Sequence, residues 1–301
     1  MKAMILAAGF GTRLKPLTKY CPKALVPVGN RPVLDRNIEY LRSAGVSEVI
    51  INAHYLAGHI LKHVGDGRRF GLHVEVRVEQ DILGTGGGIR NVSDFWDEEP
   101  FIVINGDVLT DIDLEAIYKA HLSSKVLVTM VLHTREPFNQ ISVDCRGKIQ
   151  DIAEKNLPGR FAFTGIHIIS PAFLAYLPHD VHFLNIVDAY RMLIASGKTV
   201  HGYISCGHQW HDIGTVPSYL AANHDVSGKS PFLLGSGSRL HKRAVLSDWA
   251  VVGKQCYLQD GALVKRSVLW DQVTVHKGVR VIDSVVSSCK EVKQDIIQGV
   301  L

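Results

Sequence analysis

The sequence predicts an α/β fold in two parts: a Rossmann-like three-layer domain with a mixed central sheet over residues 1–228, and a short parallel β-helix over residues 237–301. Three observations carry this reading. Short apolar runs alternate with stretches of helical periodicity through the first two-thirds of the chain. Glycine, serine and proline gather over residues 227–238, as in a linker. Beyond them Ala250, Cys256, Ala262 and Val268 recur at six-residue spacing among β-branched neighbours, the pattern of short strands stacked coil on coil.

The elements follow in order. Ala3–Ala8 is an apolar strand that empties into glycine. Leu34–Ala44 has helical periodicity, and Gly45 stops it before a strand at Glu48–Ala53. Ala57–Val64 reads as a helix and His73–Val78 as a strand, and Gly87–Val92, Phe101–Ile104, Leu114–His121 and Val126–His133 continue the alternation. Ile149–Glu154, Phe163–Ile169 and Val200–Ile204 supply further strands, with a helix from Asn185 to Ser196 ended by Gly197. The hexad spacing slips after Val268, and about three coils fit.

Composition narrows the function. With 301 residues, 46% hydrophobic and 21% charged, the chain is expected to be a soluble globular protein with room for one large domain and a small one. The apolar start is too short to span a bilayer and lacks a signal peptide's basic region and cleavage site, so the expectation is a cytoplasmic protein with no membrane partner. A net charge of +4 without a basic run argues against nucleic acid. Five cysteines with no CxxC pair read as reduced thiols, not as a disulfide framework or zinc site. His59 and His63 share a helical face, but Ile60 stands where a zinc-protease motif needs glutamate, so a polar face is expected. His208 and His211, close to Trp210, are read as neighbours of a site and not as ligands.

The chemistry gathers near the start. The first strand runs into Gly9-Phe10-Gly11-Thr12-Arg13-Leu14, and Pro22-Lys23-Ala24-Leu25-Val26-Pro27-Val28 follows. Gly9 and Gly11 let the backbone approach a ligand and turn N–H groups toward an anion, while Arg13 and Lys23 add positive charge. A dinucleotide fingerprint would need a third glycine where Leu14 stands, and a phosphate-loop ATPase would need Gly-Lys-Ser or Gly-Lys-Thr, which the chain lacks. Asp107 comes just after the apolar strand Phe101–Ile104, at the strand's C-terminal end, where α/β sheets bind ligands.

This series of residues resembles the signature of the sugar-1-phosphate nucleotidyltransferases, and Ser267–Val286 resembles the left-handed β-helix that many of them carry. The resemblance implies Mg²⁺-dependent transfer of a nucleotidyl group from an NTP to a sugar 1-phosphate, with pyrophosphate released. It assigns Arg13 and Lys23 to the triphosphate and Lys155 to the acceptor phosphate. Sugar contacts fall to Glu154, Thr164 and Gly165, and Mg²⁺ to Asp107 and Asp212. Nucleotide binding falls to Leu6, Ala8, Gly9, Gly11, Thr12, Glu79, Gly84 and Thr85.

Glu79 stands where many uridylyl- and thymidylyltransferases carry glutamine, and a carboxylate can accept from guanine N1–H and its amine together, so the base expected is guanine. Mannose 1-phosphate or a related hexose or heptose 1-phosphate is the expected acceptor. The alternatives are uridylyl transfer to glucose 1-phosphate or N-acetylmuramate 1-phosphate, or a non-catalytic nucleotide-sugar sensor. A dehydrogenase is excluded by the missing glycine, and an acyltransferase needs more coils than roughly seventy residues supply. The chain departs from the family pattern at Phe138-Asn139-Gln140-Ile141, where Tyr-Gly-Val-Val is usual, and at Asn156, where proline is usual. Asn139 is expected to keep the turn by adopting left-handed backbone. A short coil stack has an exposed end, so a homodimer or higher homo-oligomer is expected.

Overall fold

A computed structural model describes all 301 residues, and the chain divides into two compact units: residues 1–10 with 37–210, and residues 11–36 with 211–301. No helix is long and apolar enough to cross a membrane.

The first unit is built on a nine-stranded mixed sheet. Its strands are β1 (Lys2–Leu6), β2 (Glu48–Ala53), β3 (His73–Val78), β4 (Phe101–Asn105), β5 (Val128–His133), β6 (Asn139–Val143), β7 (Ile149–Ile152), β8 (Phe161–Ile169) and β9 (Val200–Ile204). The main path runs β7-β6-β8-β4-β1-β2-β3, and β8 also pairs with β5, which pairs with β9. β1 lies parallel to both β2 and β4, whereas β8 is antiparallel to β4 and β5. Met4, Ile50, Phe101 and Val103 are fully buried. The central strands therefore read as continuous apolar runs because both of their faces are covered.

Helices α1 (Val33–Ser43), α2 (Ala57–Val64), α3 (Gly84–Asn91), α4 (Leu114–Ser124) and α5 (Ile186–Ala195) occupy the intervals the periodicity marks, and α2 keeps its expected limits. Asp113 caps α4 by accepting from Ala116 N–H, and Asn185 caps α5 by accepting from Val187 N–H. Helix α3 begins three residues before its expected start, and β6 has no counterpart in the sequence reading. Asn139, Gln140 and Ser142 interrupt the apolar alternation that would have marked β6. Asn139 does not take the left-handed turn expected of it: it is extended, 5% exposed, and paired with β8.

The second unit carries helix α6 (Val216–Ser227), capped by Thr215, and a parallel β-helix. Phe232–Leu234, Ala250–Val252, Ser267–Leu269 and Val285–Val286 form one parallel stack. Arg239–Leu240, Tyr257–Leu258, Thr274–Val275 and Glu291–Val292 form a second. Val245–Ser247, Leu263–Lys265, Arg280–Ile282 and Ile296–Ile297 form the third. Each stack thus has four rungs where about three coils were expected, and the first strand of all, Phe232–Leu234, lies inside the stretch that reads as a linker. Ala250, Cys256 and Ala262 lie in the core of the β-helix, whereas Val268 is buried outside that cluster, paired with Val251. The hexad slip has a structural counterpart: Leu246 pairs with Val264, and past a bulge at Ser247–Ala250 Val251 pairs with Val268, so the coil shortens by one residue.

Residues 11–36 fasten onto this second unit. Gly29 N–H donates to Asn223 Oδ1 at 2.9 Å and Asn30 Nδ2 donates to the Val252 carbonyl at 2.8 Å. Tyr219 OH donates to the Pro27 carbonyl and accepts from Trp270 Nε1 at 3.0 Å. Residues 27–30, which follow the Lys23 turn, are thereby held by α6 and the β-helix together.

Candidate active site

In the second unit the loop is shaped by one glycine. Gly11 has φ +63°, and a β-carbon there would lie 3.0 Å from Thr18 Cγ2 and 3.1 Å from Lys23 Cβ. Thr18 Oγ1 closes the turn by donating to the Gly11 carbonyl at 2.8 Å. Leu14, Leu17, Ala24 and Val26 are buried and anchor the loop, which leaves Thr12 and Arg13 exposed and Lys23 half-buried. Lys23 Nζ stands 4.0 Å from Asp212 Oδ1. A β-carbon at Gly214 would come within 2.8 Å of both Arg13 Nη2 and Asp212 Oδ1. The structure thus gathers Arg13, Lys23 and Asp212 around Gly214, a residue the sequence reading passed over although the run Asp212-Ile213-Gly214-Thr215 marks it.

In the first unit Asp107 follows the C-terminal end of β4, as its position in the sequence implies. Gly106 N–H donates to the Leu6 carbonyl at 2.9 Å, and a β-carbon on Gly106 would lie 2.8 Å from that oxygen. Asp107 is therefore held at the level where β1 ends and the Ala7–Phe10 segment begins. Gly9 is exposed, and a β-carbon there would meet nothing.

Glu79 is not presented to solvent. It is 3% exposed, Asn52 Nδ2 donates to Oε1 at 2.7 Å, and Leu83 N–H donates to Oε2 at 3.2 Å. Asn52 in turn accepts from Ala7 N–H at 2.8 Å, so the pair ties the segment after β1 to the turn before α3. Asn52 escaped the sequence reading, although it is the polar residue that breaks the apolar run of β2. Gly84 and Thr85 are likewise engaged. A β-carbon on Gly84 would lie 2.5 Å from the Leu184 carbonyl, which accepts from Gly86 and Gly87 N–H, and Thr85 Oγ1 accepts from Ile186 N–H. The glycine run of α3 answers to the close approach of Leu184.

Thr164 and Gly165 form a bulge where β8 loses register with β5. The Thr164 side chain is fully buried and its hydroxyl donates to the Val131 carbonyl within the sheet. Its carbonyl accepts from Trp210 Nε1, and Phe138 meets the Trp210 ring edge-on at 6.3 Å. Gly165 has φ +79°, with Asn105 Nδ2 only 2.5 Å from where a β-carbon would stand.

Glu154 and Lys155 lie in the segment after β7, both exposed. Of the histidines near Trp210, His208 pairs with Asp111 at 3.4 Å, while His211 is buried and pairs with Asp225 at 3.1 Å. His59 is exposed, and His63 contacts Arg69, as a polar helix face would.

No cluster of three or more acidic, histidine or cysteine side chains forms a protein-only metal cage. Mg²⁺ characteristically takes one or two carboxylates and completes its shell with water and phosphate oxygens, and Asp107 in the first unit and Asp212 in the second each offer hard oxygen donors of that kind.

Residues 2–229 match the model of a nucleotidyl transferase family. Over 95% of its length the chain is 28% identical to a UTP–glucose-1-phosphate uridylyltransferase of Synechocystis sp., covering 87% of that protein. It is also 28% identical to a mannose-1-phosphate guanylyltransferase of Mycobacterium tuberculosis, over 92% of this chain and 81% of that protein. Among solved structures, HddC from Yersinia pseudotuberculosis complexed with GMP-PN matches with a TM-score of 0.65 at 26% identity, over 75% of this chain and 99% of that one.

Proposed function

Because this chain belongs to the nucleotidyl transferase family and is a sugar-1-phosphate nucleotidyltransferase, we propose that it joins the nucleotidyl group of GTP to mannose 1-phosphate or a related hexose or heptose 1-phosphate. An oxygen of the acceptor phosphate attacks the α-phosphorus, the bond to the β-phosphate breaks, and pyrophosphate leaves. The nucleophile is already anionic near neutral pH, so alignment and charge neutralisation are the whole demand on the protein.

The observation that carries this reading is the grouping of Arg13 and Lys23 with Asp212 on a loop shaped by Gly11. Arg13 and Lys23 hold the triphosphate and take up the charge that moves onto pyrophosphate. Lys155 holds the acceptor phosphate and Glu154 the sugar hydroxyls. Asp107 and Asp212 hold a divalent cation, which we take to be Mg²⁺ and which would neutralise phosphate charge when bound.

Guanine is favoured by the acidic residue at position 79, by the guanylyltransferase of M. tuberculosis and by the GMP-PN complex of HddC. The internal hydrogen bonds of Glu79 favour a second reading, in which Glu79 only shapes the base pocket and the base is uracil, as in the Synechocystis relative. Equimolar GTP, UTP and dTTP with mannose 1-phosphate separate the two. A GDP-sugar in roughly tenfold excess is expected, the discrimination one or two base hydrogen bonds supply. A UDP-sugar as the main product selects the second reading. The last rungs expose Ile297 and Leu301, which supports a homodimer or larger assembly, and sedimentation of a monomer would contradict it.

A further inference from the structure

We propose that Glu136, Asn139 and Asn156 form a hydrogen-bonded clamp that positions Glu154 and Lys155 and so sets affinity for the acceptor sugar phosphate. The proposal rests on the reading of Lys155 as the acceptor-phosphate residue.

Asn139 is the centre. Its side-chain oxygen accepts from Arg135 N–H at 2.8 Å, and its amide donates to Glu136 Oε1 at 3.3 Å. Its backbone N–H donates to Asn156 Oδ1 at 2.9 Å, and its carbonyl accepts from Leu157 N–H at 2.8 Å. Every polar group of this buried residue is used, which fixes its conformation. Asn156 Nδ2 donates to Glu136 Oε2 at 2.5 Å and closes the ring.

The neighbouring Gln140 completes the restraint. Its carbonyl accepts from Ala153 N–H and its side-chain amide donates to the Glu154 carbonyl, both at 2.9 Å. The chain is thus tied through its backbone at 153, 154 and 157 and through the side chain at 156, on both sides of Lys155. The Glu154 and Lys155 side chains themselves are exposed and make no hydrogen bond or ion pair within the protein. A surface lysine needs no such support beneath it. A charged pair that must meet a phosphate and a sugar hydroxyl at set positions does, because a restrained backbone leaves only side-chain rotamers to be ordered on binding. The two departures from the family pattern, Asn139 and Asn156, are therefore one device, joined through Glu136.

The test exchanges the donor and acceptor of the Glu136–Asn156 contact. Asn156→Asp removes the donor and sets two carboxylates together, while Glu136→Gln in the same chain restores a donor–acceptor pair. Asn156→Asp is expected to raise KM for the sugar phosphate roughly tenfold and to leave KM for the NTP within about twofold, the cost of one charge-assisted hydrogen bond. The double variant is expected to recover to within about threefold of wild type. An unchanged acceptor KM in Asn156→Asp, an equal rise in both KM values, or no recovery in the double variant overturns the proposal. Lys155→Ala is measured alongside. If it leaves acceptor KM unchanged, the reading of Lys155 fails and takes the clamp's function with it. If it raises acceptor KM while Asn156→Asp does not, the clamp alone is overturned.

Discussion

Gly11 has φ +63°, and an added β-carbon would press on Thr18 at 3.0 Å and Lys23 at 3.1 Å, so Gly11→Ala strains the loop that carries Arg13. The expected result is a loss of kcat/KM for the NTP of tenfold or more with a modest fall in Tm, since about 1–2 kcal/mol of backbone strain falls on the binding loop. A variant with wild-type NTP kinetics would show that the loop's shape is not needed. The two lysines differ in the same way. Lys23→Ala is expected to damage NTP use and Lys155→Ala sugar-phosphate use, and equal losses of NTP affinity in both would contradict this division.

Candidate residues were legible where chemistry and chain order coincide: Arg13, Lys23, Asp107 and Asp212 each sit in a local run that marks them, and the structure gathers three of them, Arg13, Lys23 and Asp212. Asn52, Gly214 and the Glu136–Asn139–Asn156 ring were not legible. Their roles arise from partners distant in the chain, such as Asn52 with Ala7 and Glu79, and no local pattern encodes those meetings. Thr164 shows the converse, a motif residue whose hydroxyl the sheet itself consumes.

At the level of elements, helix α4 and strand β8 bury two histidines whose titration sets acid stability. His121 bonds Thr129 and Ser170, His167 bonds Tyr190, and burial pushes their pKa values down to about 4 and about 3. Both sit below the unfolded value of about 6.5, so the unfolded chain binds more protons. The stability they contribute is present above pH 6.5 and is lost as pH falls through the window toward 4 and then 3. The slope is about 1.4 kcal/mol per pH unit for each histidine. Urea midpoints measured from pH 7 to pH 5 are expected to fall less steeply in His121→Gln than in wild type, and parallel curves would contradict the assignment.

The elements also show where periodicity suffices. Glu48–Ala53, Ala57–Val64, His73–Val78 and Val200–Ile204 appear with the limits the sequence implied, because a covered α/β sheet writes apolar runs plainly. Strand β6 stayed hidden because its polar residues serve the clamp and not the core.

On the scale of the molecule, the β-helix and residues 11–36, which carry Arg13 and Lys23, belong to one compact unit. Tyr219 links Pro27 to Trp270, and Tyr219→Phe breaks both hydrogen bonds while keeping the ring. The expected outcome is a loss of roughly 2 kcal/mol in stability and a raised KM for the NTP but not for the sugar phosphate. A change confined to stability would make the coils a mere support. The coil stack was legible from its hexads, but its first rung was not, since Ser-Pro-Phe-Leu-Leu-Gly reads as linker until Phe232–Leu234 finds Ala250–Val252 beside it.

The measurement that bears most directly on the assigned reaction is pyrophosphate release with nucleotide-sugar detection, for wild type, Asp107→Ala and Asp212→Ala, using GTP, UTP and dTTP against a panel of sugar 1-phosphates with Mg²⁺. Wild type is expected to give equimolar pyrophosphate and nucleotide sugar with at least one pair, and either folded variant less than about a tenth of that rate, because each removes a carboxylate proposed to serve the reacting phosphates. No turnover with any pair, or a variant that keeps most of the wild-type rate, would contradict that expectation.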